Sequence, residues 1–163
     1  MKIGVISDTH DNVTKILQAV QFFNQQEELE VVIHAGDFVS PFAVAAMAEL
    51  KCPLAAVFGN NEGEKIGVAK RFEGLGDLYV NFGSIEAGDR KIAFAHYPEL
   101  ADTLAKGNQF DVVIYGHTHE IDTHQEGETL VVNPGECGGW LTGKSTIAII
   151  DLETLEAEIH ELN

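Results

Sequence analysis

The sequence has little cysteine and no long apolar run, and both shortages narrow the class of protein. Cys52 and Cys137 are the only cysteines among 163 residues, and they form no CxxC pair. We therefore interpret both as structural thiols and expect a cytoplasmic location. No apolar stretch approaches the roughly 18 residues that a membrane span requires, and no basic segment leads into one near Met1. We expect neither a signal peptide nor a membrane partner.

Basic side chains are also scarce. Lysine and arginine number 10 against 26 aspartates and glutamates, which gives a formal net charge of −16. Such a chain repels long polyanions, so we expect no long nucleic acid as a partner. Most of this acidity is interpreted as solvated surface.

Apolar periodicity predicts alternating strands and helices in the first half of the chain. These elements are a strand at 2–7, a helix at 13–26, a strand at 31–34, a helix at 41–50, a strand at 54–58 and a helix at 66–73. Asn12 and Ser40 stand where helix N-caps belong, with Pro41 at a first helical position. Successive βαβ units of this kind favour parallel strands with right-handed crossovers.

The second half predicts mainly strands. Two of them, 78–86 and 90–96, are joined by a turn at 87–89, and a helix at 99–106 ends before Gly107 as a left-handed residue. Further strands are expected at 112–115, 129–132, 146–151 and 155–161. The predicted fold class is α/β, a four-layer α/β/β/α sandwich of two mixed sheets flanked by helices, in a single domain over residues 1–163.

Polar side chains with metal-binding chemistry follow five of the strand-like runs. The candidate ligands are Asp8, His10, Asp37, Asn60, His96, His117 and His119. Sites in open α/β sheets are built at the carboxyl ends of strands, which is where these residues stand. Carboxylate, imidazole and amide donors without thiolate suit Mn²⁺, Fe, Zn²⁺, Ni²⁺ or Co²⁺. Seven donors exceed the need of one tetrahedral ion, so the sequence predicts a dinuclear centre.

Spacing and chemistry suggest how the donors are used. Asp8 and His10 are two residues apart, which in an extended segment turns both side chains to the same side, and His117 and His119 repeat that spacing. Asp37 is a short carboxylate that is able to bridge two cations. Asn60 offers a neutral oxygen, which limits the charge of the ligand set.

The order of these motifs resembles the calcineurin-like metallophosphoesterase superfamily, whose pattern runs D-x-H, G-D, G-N-H-[ED], a later His and G-H-x-H. The segments that carry the resemblance are Ser7–Asn12, His34–Asp37, Gly116–His119 and Asn133–Gly135, which are similar to its small single-domain phosphodiesterase branch. The resemblance implies the same sandwich fold. It also places Asp8, His10, Asp37 and His119 on one metal, and Asp37, Asn60, His96 and His117 on the other.

The implied reaction is hydrolysis of a small phosphate ester by a hydroxide bound between two divalent ions. Mn²⁺ is the first candidate for the ions, and Asp37, Asn60 and His96 are the expected catalytic ligands. Two ions would add about four positive charges where a phosphate must sit, so the net acidity does not exclude a small phosphoester. The alternative is a weak or inactive scaffold that binds proteins, as the retromer subunit of this superfamily does. The sequence leaves open the substrate, the native metal and whether the chain forms a homo-oligomer.

The chain departs from the family pattern at Asn61, which replaces the His credited with protonating the leaving group. An amide donates a hydrogen bond but is no general acid near neutral pH, so we expect Asn61 to contact substrate without protonating it. Glu62 is interpreted as a surface or loop residue, with a supporting or proton-transfer role as the alternative.

Several other residues leave two interpretations open. Asn12 is assigned to substrate binding, with helix capping as the alternative. The segment 133–135 reads as a turn, although the resemblance places it beside the metals. Trp140, in a glycine-rich run, is expected to pack on the sheet, with stacking on a nucleobase as the alternative. The remaining histidines are interpreted as structural, namely His34, His124 and His160.

Overall fold

Two β-sheets packed face to face form the centre of the protein, and helices cover their outer faces. The computed structural model describes all 163 residues. The strands are β1 Lys2–Ile6, β2 Leu29–His34, β3 Leu54–Val57, β4 Gly76–Tyr79, β5 Phe82–Ala87, β6 Arg90–Ala95, β7 Val112–Ile114, β8 Ile121–Glu126, β9 Thr129–Pro134, β10 Thr146–Asp151 and β11 Glu156–Glu161. The helices are α1 Val13–Phe23, α2 Pro41–Met47, α3 Lys65–Phe72 and α4 Pro98–Lys106.

Both sheets are mixed, as the sequence predicts. The first has the order β11-β10-β1-β2-β3-β4, in which β1 to β4 run parallel and β10 and β11 are antiparallel. The second has the order β5-β6-β7-β9-β8, in which β6, β7 and β9 are parallel and the edge strands are antiparallel. The interior of each sheet therefore contains three parallel strands, β1 to β3 in the first sheet and β6, β7 and β9 in the second. Strand β4 is a fourth parallel strand at the edge of the first sheet.

Side-chain alternation along the strands creates three apolar layers. In β1, Ile3 and Val5 face the second sheet, whereas Ile6 faces the helices α1 and α2. On the opposite side of the molecule, α4 packs Ala101 and Ala105 against the outer face of the second sheet. The resulting order is helices, sheet, sheet, helix, which confirms the predicted four-layer α/β/β/α sandwich.

Two features of strand assignment differ from the prediction. The segment 78–86 is not one strand, because β4 pairs with β3 in the first sheet and β5 pairs with β6 in the second. The chain crosses between the sheets at Val80 and Asn81, a break that a continuous apolar pattern conceals. Strand β8 was not predicted, because its sequence IDTHQE is mostly polar and it lies on a sheet edge.

The N-termini of α1 and α2 follow the capping signals, whereas α1 ends at Phe23 and α2 at Met47, each three residues earlier than predicted. The Asn12 side chain accepts from Lys15 N and caps α1, and Ser40 caps α2 with Pro41 at its first position. The prediction for Gly107 is wrong: its φ is −66°, and the left-handed residue is Asn108 with φ 53°. None of the helices has the length and apolar character of a membrane-spanning segment.

Candidate metal centre

The predicted ligands converge, and the first group forms around Asp8. His119 Nε2 lies 3.4 Å and His10 Nε2 lies 3.8 Å from Asp8 Oδ1. The imidazoles of His10 and His119 are stacked with their centroids 5.1 Å apart. One atom each of Asp8, His10 and His119 lies within 4.8 Å of the others, which is a spacing suited to one ion.

A second group forms around Asn60. His96 Nε2 and His117 Nδ1 each lie 2.9 Å from Asn60 Oδ1. Asp37 joins the two groups, because its Oδ2 lies 3.5 Å from His10 Nε2 and 3.4 Å from His96 Nε2. All seven predicted ligands therefore belong to one continuous cluster, with Asp37 at its middle.

Unpartnered buried atoms indicate that this cluster is built for a cation. Asp8 Oδ1 and His10 Nε2 are buried and have no hydrogen-bond partner in the protein. His96 Nδ1 donates to Ala35 O at 2.8 Å, so its Nε2 directs a lone pair at the Asn60 oxygen. Two lone pairs facing each other require a proton or a cation between them. The donor set therefore fits the divalent ions that the sequence predicts.

The backbone at these ligands is not extended, so the i, i+2 explanation for the pairs Asp8/His10 and His117/His119 is wrong. Positive φ angles of 41° to 70° occur at five of the seven ligands, namely Asp8, His10, Asp37, His117 and His119. Non-glycine residues adopt this region rarely and at a cost of about 1–3 kcal/mol each. The side chains meet because each strand turns sharply at its carboxyl end, and not because alternate residues of a strand share a face.

Glycines in the motifs make room for ligands that arrive from other loops. A Cβ on Gly59 would lie 2.1 Å from Asp37 Oδ1, and a Cβ on Gly116 would lie 2.6 Å from Asp8 Oδ2. Gly59 of the G-N motif therefore leaves room for Asp37 of the G-D motif, and Gly116 of the G-H-x-H motif leaves room for Asp8. In each of these motifs, the polar residue is a candidate metal ligand, and the glycine leaves room for a candidate ligand from another loop.

Hydrogen bonds fix the orientation of both carboxylates. Asp8 Oδ2 accepts from the Ser7 hydroxyl and, at 3.0 Å, from His117 N, which leaves Oδ1 directed at His10 and His119. Asn61 donates to Asp37 twice, from its backbone N to Oδ1 at 2.8 Å and from Nδ2 to Oδ2 at 2.7 Å. Asn61 is therefore attached to the central carboxylate, which the sequence did not predict.

The same contacts set the protonation of the central groups. Burial alone would raise the pKa of the Asp37 carboxyl, but His96 and the two hydrogen bonds from Asn61 hold the pKa well below its usual range. Burial lowers the pKa of His96, but the adjacent Asp37 carboxylate outweighs it and raises the pKa above its ordinary value. Asp37 is thus an anion throughout the neutral range and attracts positive charge to its neighbours.

Glu62 is a buried clamp, which corrects its interpretation as a surface residue. Its Oε1 accepts from Asp37 N at 2.9 Å and Phe38 N at 3.2 Å, and its Oε2 accepts from Gly59 N at 3.0 Å. The carboxylate therefore ties the loop after β2 to the loop after β3. The signal for it was present, because the family pattern carries an acidic residue at this position.

Glu136 is a second clamp, and the sequence reading missed it. Its side chain is fully buried, and Oε2 accepts from His119 Nδ1 at 2.9 Å and from Trp140 N at 3.1 Å. Its Oε1 accepts from the backbone N–H groups of Leu141 and Thr142. Because Nδ1 of His119 donates to Glu136, Nε2 is left to face Asp8 Oδ1. Glu136 follows β9, so the rule that found the other ligands also applied to it.

The histidines interpreted as structural stay outside the cluster. His34 Nδ1 accepts from Gly36 N, so its Nε2 carries the proton and lies 3.1 Å from Thr9 Oγ1. Full burial lowers the pKa of His34 to about 3, and the ring is neutral. His124 pairs with Asp122 on an edge strand, and His160 contacts the Phe22 ring.

The other open assignments resolve to differing degrees. Asn12 Nδ2 donates to Gly138 O at 2.8 Å while Oδ1 caps α1, so capping is shown and substrate contact stays a prediction. The turn interpretation of 133–135 is incomplete, because β9 extends to Pro134 and Asn133 Nδ2 donates to Gly116 O. Trp140 does not pack on the sheet, since 62% of its surface is exposed.

The centre is closed on one side and open on the other. Asp8, Asp37 and His96 are buried, whereas Asn60 and His117 are exposed. A small molecule can therefore reach the cluster from the side of the exposed pair. Such an opening suits a ligand of which one part binds to the metals while the rest stays outside the centre.

Comparison with known proteins places the chain among phosphoesterases. The model of the calcineurin-like phosphoesterase superfamily domain matches residues 1–155. A phosphodiesterase of Methanocaldococcus jannaschii is 41% identical over 96% of this chain and 96% of its own length. A probable metallophosphoesterase of Methanothermobacter thermautotrophicus is 33% identical over 98% of this chain and 91% of its own.

Solved structures agree with this placement. The structure of an archaeal phosphodiesterase matches with a TM-score of 0.92 and 40% identity over 99% of this chain and 100% of that chain. Vps29 of Entamoeba histolytica, solved with Zn²⁺, matches with a TM-score of 0.63 and 18% identity over the whole of both chains. The second likeness shows the fold alone.

Glu62→Gln should destabilise the protein. A glutamine presents an NH₂ group to backbone N–H donors, so at least one buried donor loses its acceptor, at a cost of about 1–3 kcal/mol. The free energy of unfolding, from urea denaturation of the metal-free protein, measures this. Glu128→Gln removes the same charge at an exposed turn and serves as the control. Equal stability of the two variants would show that Glu62 is no clamp.

Glu136→Gln should weaken ion binding, because the variant loses the charged acceptor that fixes His119. Loss of such a support typically lowers metal affinity about 10–100-fold. Calorimetric titration with Zn²⁺ measures the affinity, circular dichroism checks the fold, and Glu128→Gln is again the control. A folded Glu136→Gln variant with unchanged affinity would contradict this role.

Proposed function

This chain belongs to the calcineurin-like phosphoesterase superfamily, and from that premise we propose that it is a phosphodiesterase that hydrolyses small phosphate esters with two divalent ions. One observation carries the proposal: two groups of donors, each suited to one ion, meet at the single carboxylate of Asp37. The relative from Methanocaldococcus jannaschii, itself a phosphodiesterase, supports the choice of a diester.

The geometry supports a definite division of the ligands. Asp8, His10, Asp37 and His119 would hold one ion, and Asp37, Asn60, His96 and His117 would hold the other. When bound, the ions act as Lewis acids that polarise phosphoryl oxygens and lower the pKa of water. The mixture of carboxylate, imidazole and amide donors suits Mn²⁺ first, and also Ni²⁺, Fe, Zn²⁺ or Co²⁺.

The chain's own residues keep the centre in position. Asn61 holds both oxygens of Asp37, and Glu62 holds the backbone N–H of the same residue. His96 is fixed by its hydrogen bond to Ala35 O. Preorganisation of this kind means that little reorientation is needed when substrate arrives.

The charge of the chain favours a small substrate with a single negative charge. Asp8 and Asp37 are buried at the centre of a protein with net charge −16. Two divalent ions would offset the charge at this one place, where phosphate can then be attracted. A phosphodiester carries one negative charge, and a monoester near neutral pH carries up to two, so the diester is repelled less by the surrounding surface.

The leaving group receives no proton from the residues around Asp37. Asn61 cannot act as an acid near neutral pH, and its amide is engaged with Asp37. Glu62 accepts three backbone N–H bonds with its two oxygens, so both oxygens are engaged with the protein backbone. We therefore propose a supporting role for Glu62 and no proton transfer from it. The departing oxygen therefore has to leave as an anion.

The scaffold alternative has less support. A scaffold that has lost catalysis has no reason to keep strained backbone at five ligand positions. The likeness to Vps29 is at 18% identity and extends to the fold only.

The protein should bind two transition-metal ions per chain after reconstitution with Mn²⁺, measured by elemental analysis. Asp37→Asn removes the shared negative charge, so we expect fewer than two ions and a loss of diesterase activity above the 10–100-fold typical of a supporting residue. Asp89→Asn, at the exposed turn between β5 and β6, is the matched control. One ion in the wild type, or near-normal turnover in Asp37→Asn, would overturn the dinuclear assignment.

The rate should depend steeply on the pKa of the leaving group, because the departing oxygen carries its charge unaided. A series of aryl and alkyl phosphodiesters of similar size measures the slope on the wild type. A general acid is typically worth about 10²–10⁴-fold, so alkyl esters should lag behind activated aryl esters by at least that margin. A shallow slope would mean that another acid serves the leaving group.

A further inference from the structure

Trp140 is an exposed aromatic residue at the metal centre. It is the only tryptophan in the chain, it lies in the loop after β9, and 62% of its surface is exposed. No other aromatic ring of the protein stacks on it, whereas Tyr97 on the other side of the centre packs against His96 and His117. Its open face is therefore available to a ligand.

The Trp140 ring is exposed, but hydrogen bonds from the backbone N–H and from the indole N–H hold the residue in place. The backbone N–H donates to Glu136 Oε2 at 3.1 Å, the same oxygen that accepts from His119 Nδ1. The indole N–H donates to His10 O at 3.2 Å. Trp140 is thus bonded directly to one candidate ligand of the first ion, His10, and through Glu136 to a second, His119.

The neighbouring glycine permits this close approach. A Cβ on Gly138 would lie 3.0 Å from Trp140 Cδ1 and 3.0 Å from Asp8 O. Gly138 N also donates to Asp8 O, so the loop runs directly against the segment after β1. A side chain at position 138 would therefore displace the indole or the segment after β1.

A fixed indole beside a phosphate-binding centre can stack on a flat group that the phosphate carries. Stacking of a base on an aromatic side chain is worth about 1–3 kcal/mol and does not depend on the identity of the base. Because the two hydrogen bonds already restrict the ring, less side-chain conformational entropy is lost when a ligand binds. We propose that Trp140 forms a stacking subsite for a planar aromatic ester group of the substrate, a nucleobase or an aryl ring. This rests on the proposed function.

Tryptophan fluorescence tests the subsite without catalysis, since all tryptophan emission comes from this ring. Protein loaded with diamagnetic Zn²⁺ is titrated with AMP, phenyl phosphate and ribose 5-phosphate, and excited at the red edge of the indole band. We expect a saturable change with AMP, with phenyl phosphate, or with both, and none with ribose 5-phosphate at the same concentrations. The responding compound identifies the base or the aryl ring as the source. Equal responses to all three, or no response, would overturn the proposal.

A kinetic comparison gives an independent readout. The p-nitrophenyl ester of thymidine 5′-monophosphate and ethyl p-nitrophenyl phosphate share the p-nitrophenyl leaving group, and only the first carries a second flat group, the thymine base. Trp140→Ala should lower the ratio of their kcat/KM values, thymidine over ethyl, by about fivefold or more. Leu141→Ala, a change at the neighbouring exposed side chain, should keep the wild-type ratio.

Trp140→Phe separates stacking from the hydrogen bond to His10. It keeps a ring but has no indole N–H, so we expect it to retain most of the ratio. A loss as large as in Trp140→Ala would contradict stacking, and so would a Trp140→Ala variant in which the ratio and both kcat/KM values are unchanged; an equal fall of both values would place the shared aryl ring on Trp140. If neither ester is hydrolysed by the wild type, the proposed function fails, and the fluorescence titration still decides the subsite.

Discussion

The approach of two buried carboxylates, Asp8 and Asp37, is the constraint on which the rest of the site depends. Together with His96 they offer atoms that all lie within 4.8 Å of one another. Two like charges at that distance repel by about 3 kcal/mol at an effective dielectric constant near 20. No lysine or arginine forms an ion pair with either carboxylate, and the N–H and O–H donors around them offset only part of the repulsion. The loops are therefore arranged around a negative charge, which suits the binding of a cation.

Two further buried glutamates hold those loops together. Glu62 joins the ends of β2 and β3, and Glu136 joins the end of β7, through His119, to the loop after β9. Strand pairing cannot hold these loops together, because the chain leaves both sheets before it reaches the ligands. A carboxylate offers several acceptor positions and can therefore satisfy N–H groups from segments distant in sequence. Burying four acidic groups in one region is costly, and each is accordingly surrounded by donors.

The sequence predicted the architecture and the ligand cluster because both follow general rules. Apolar periodicity locates the strands, and sites in α/β folds lie at their carboxyl ends, so Asp37 and His96 were placed together without a structure. It did not predict the split of 78–86 into β4 and β5, because the apolar pattern continues while the chain changes sheets. Nor did it predict the left-handed backbone at Asp8 or the burial of Glu136, since both result from contacts with loops far away in sequence.

Glu136 links ion binding to the surface beside the site. One of its oxygens accepts from both His119 and the backbone of Trp140. An ion that fixes His119 also restricts this carboxylate, and with it the loop that presents the indole. Because coupling between two binding events is reciprocal, any effect of the ion on the loop of Trp140 is matched by an equal effect of a ligand at Trp140 on ion binding. Glu136, which the sequence did not predict, thus connects the candidate metal ligand His119 to the loop that carries the proposed stacking subsite.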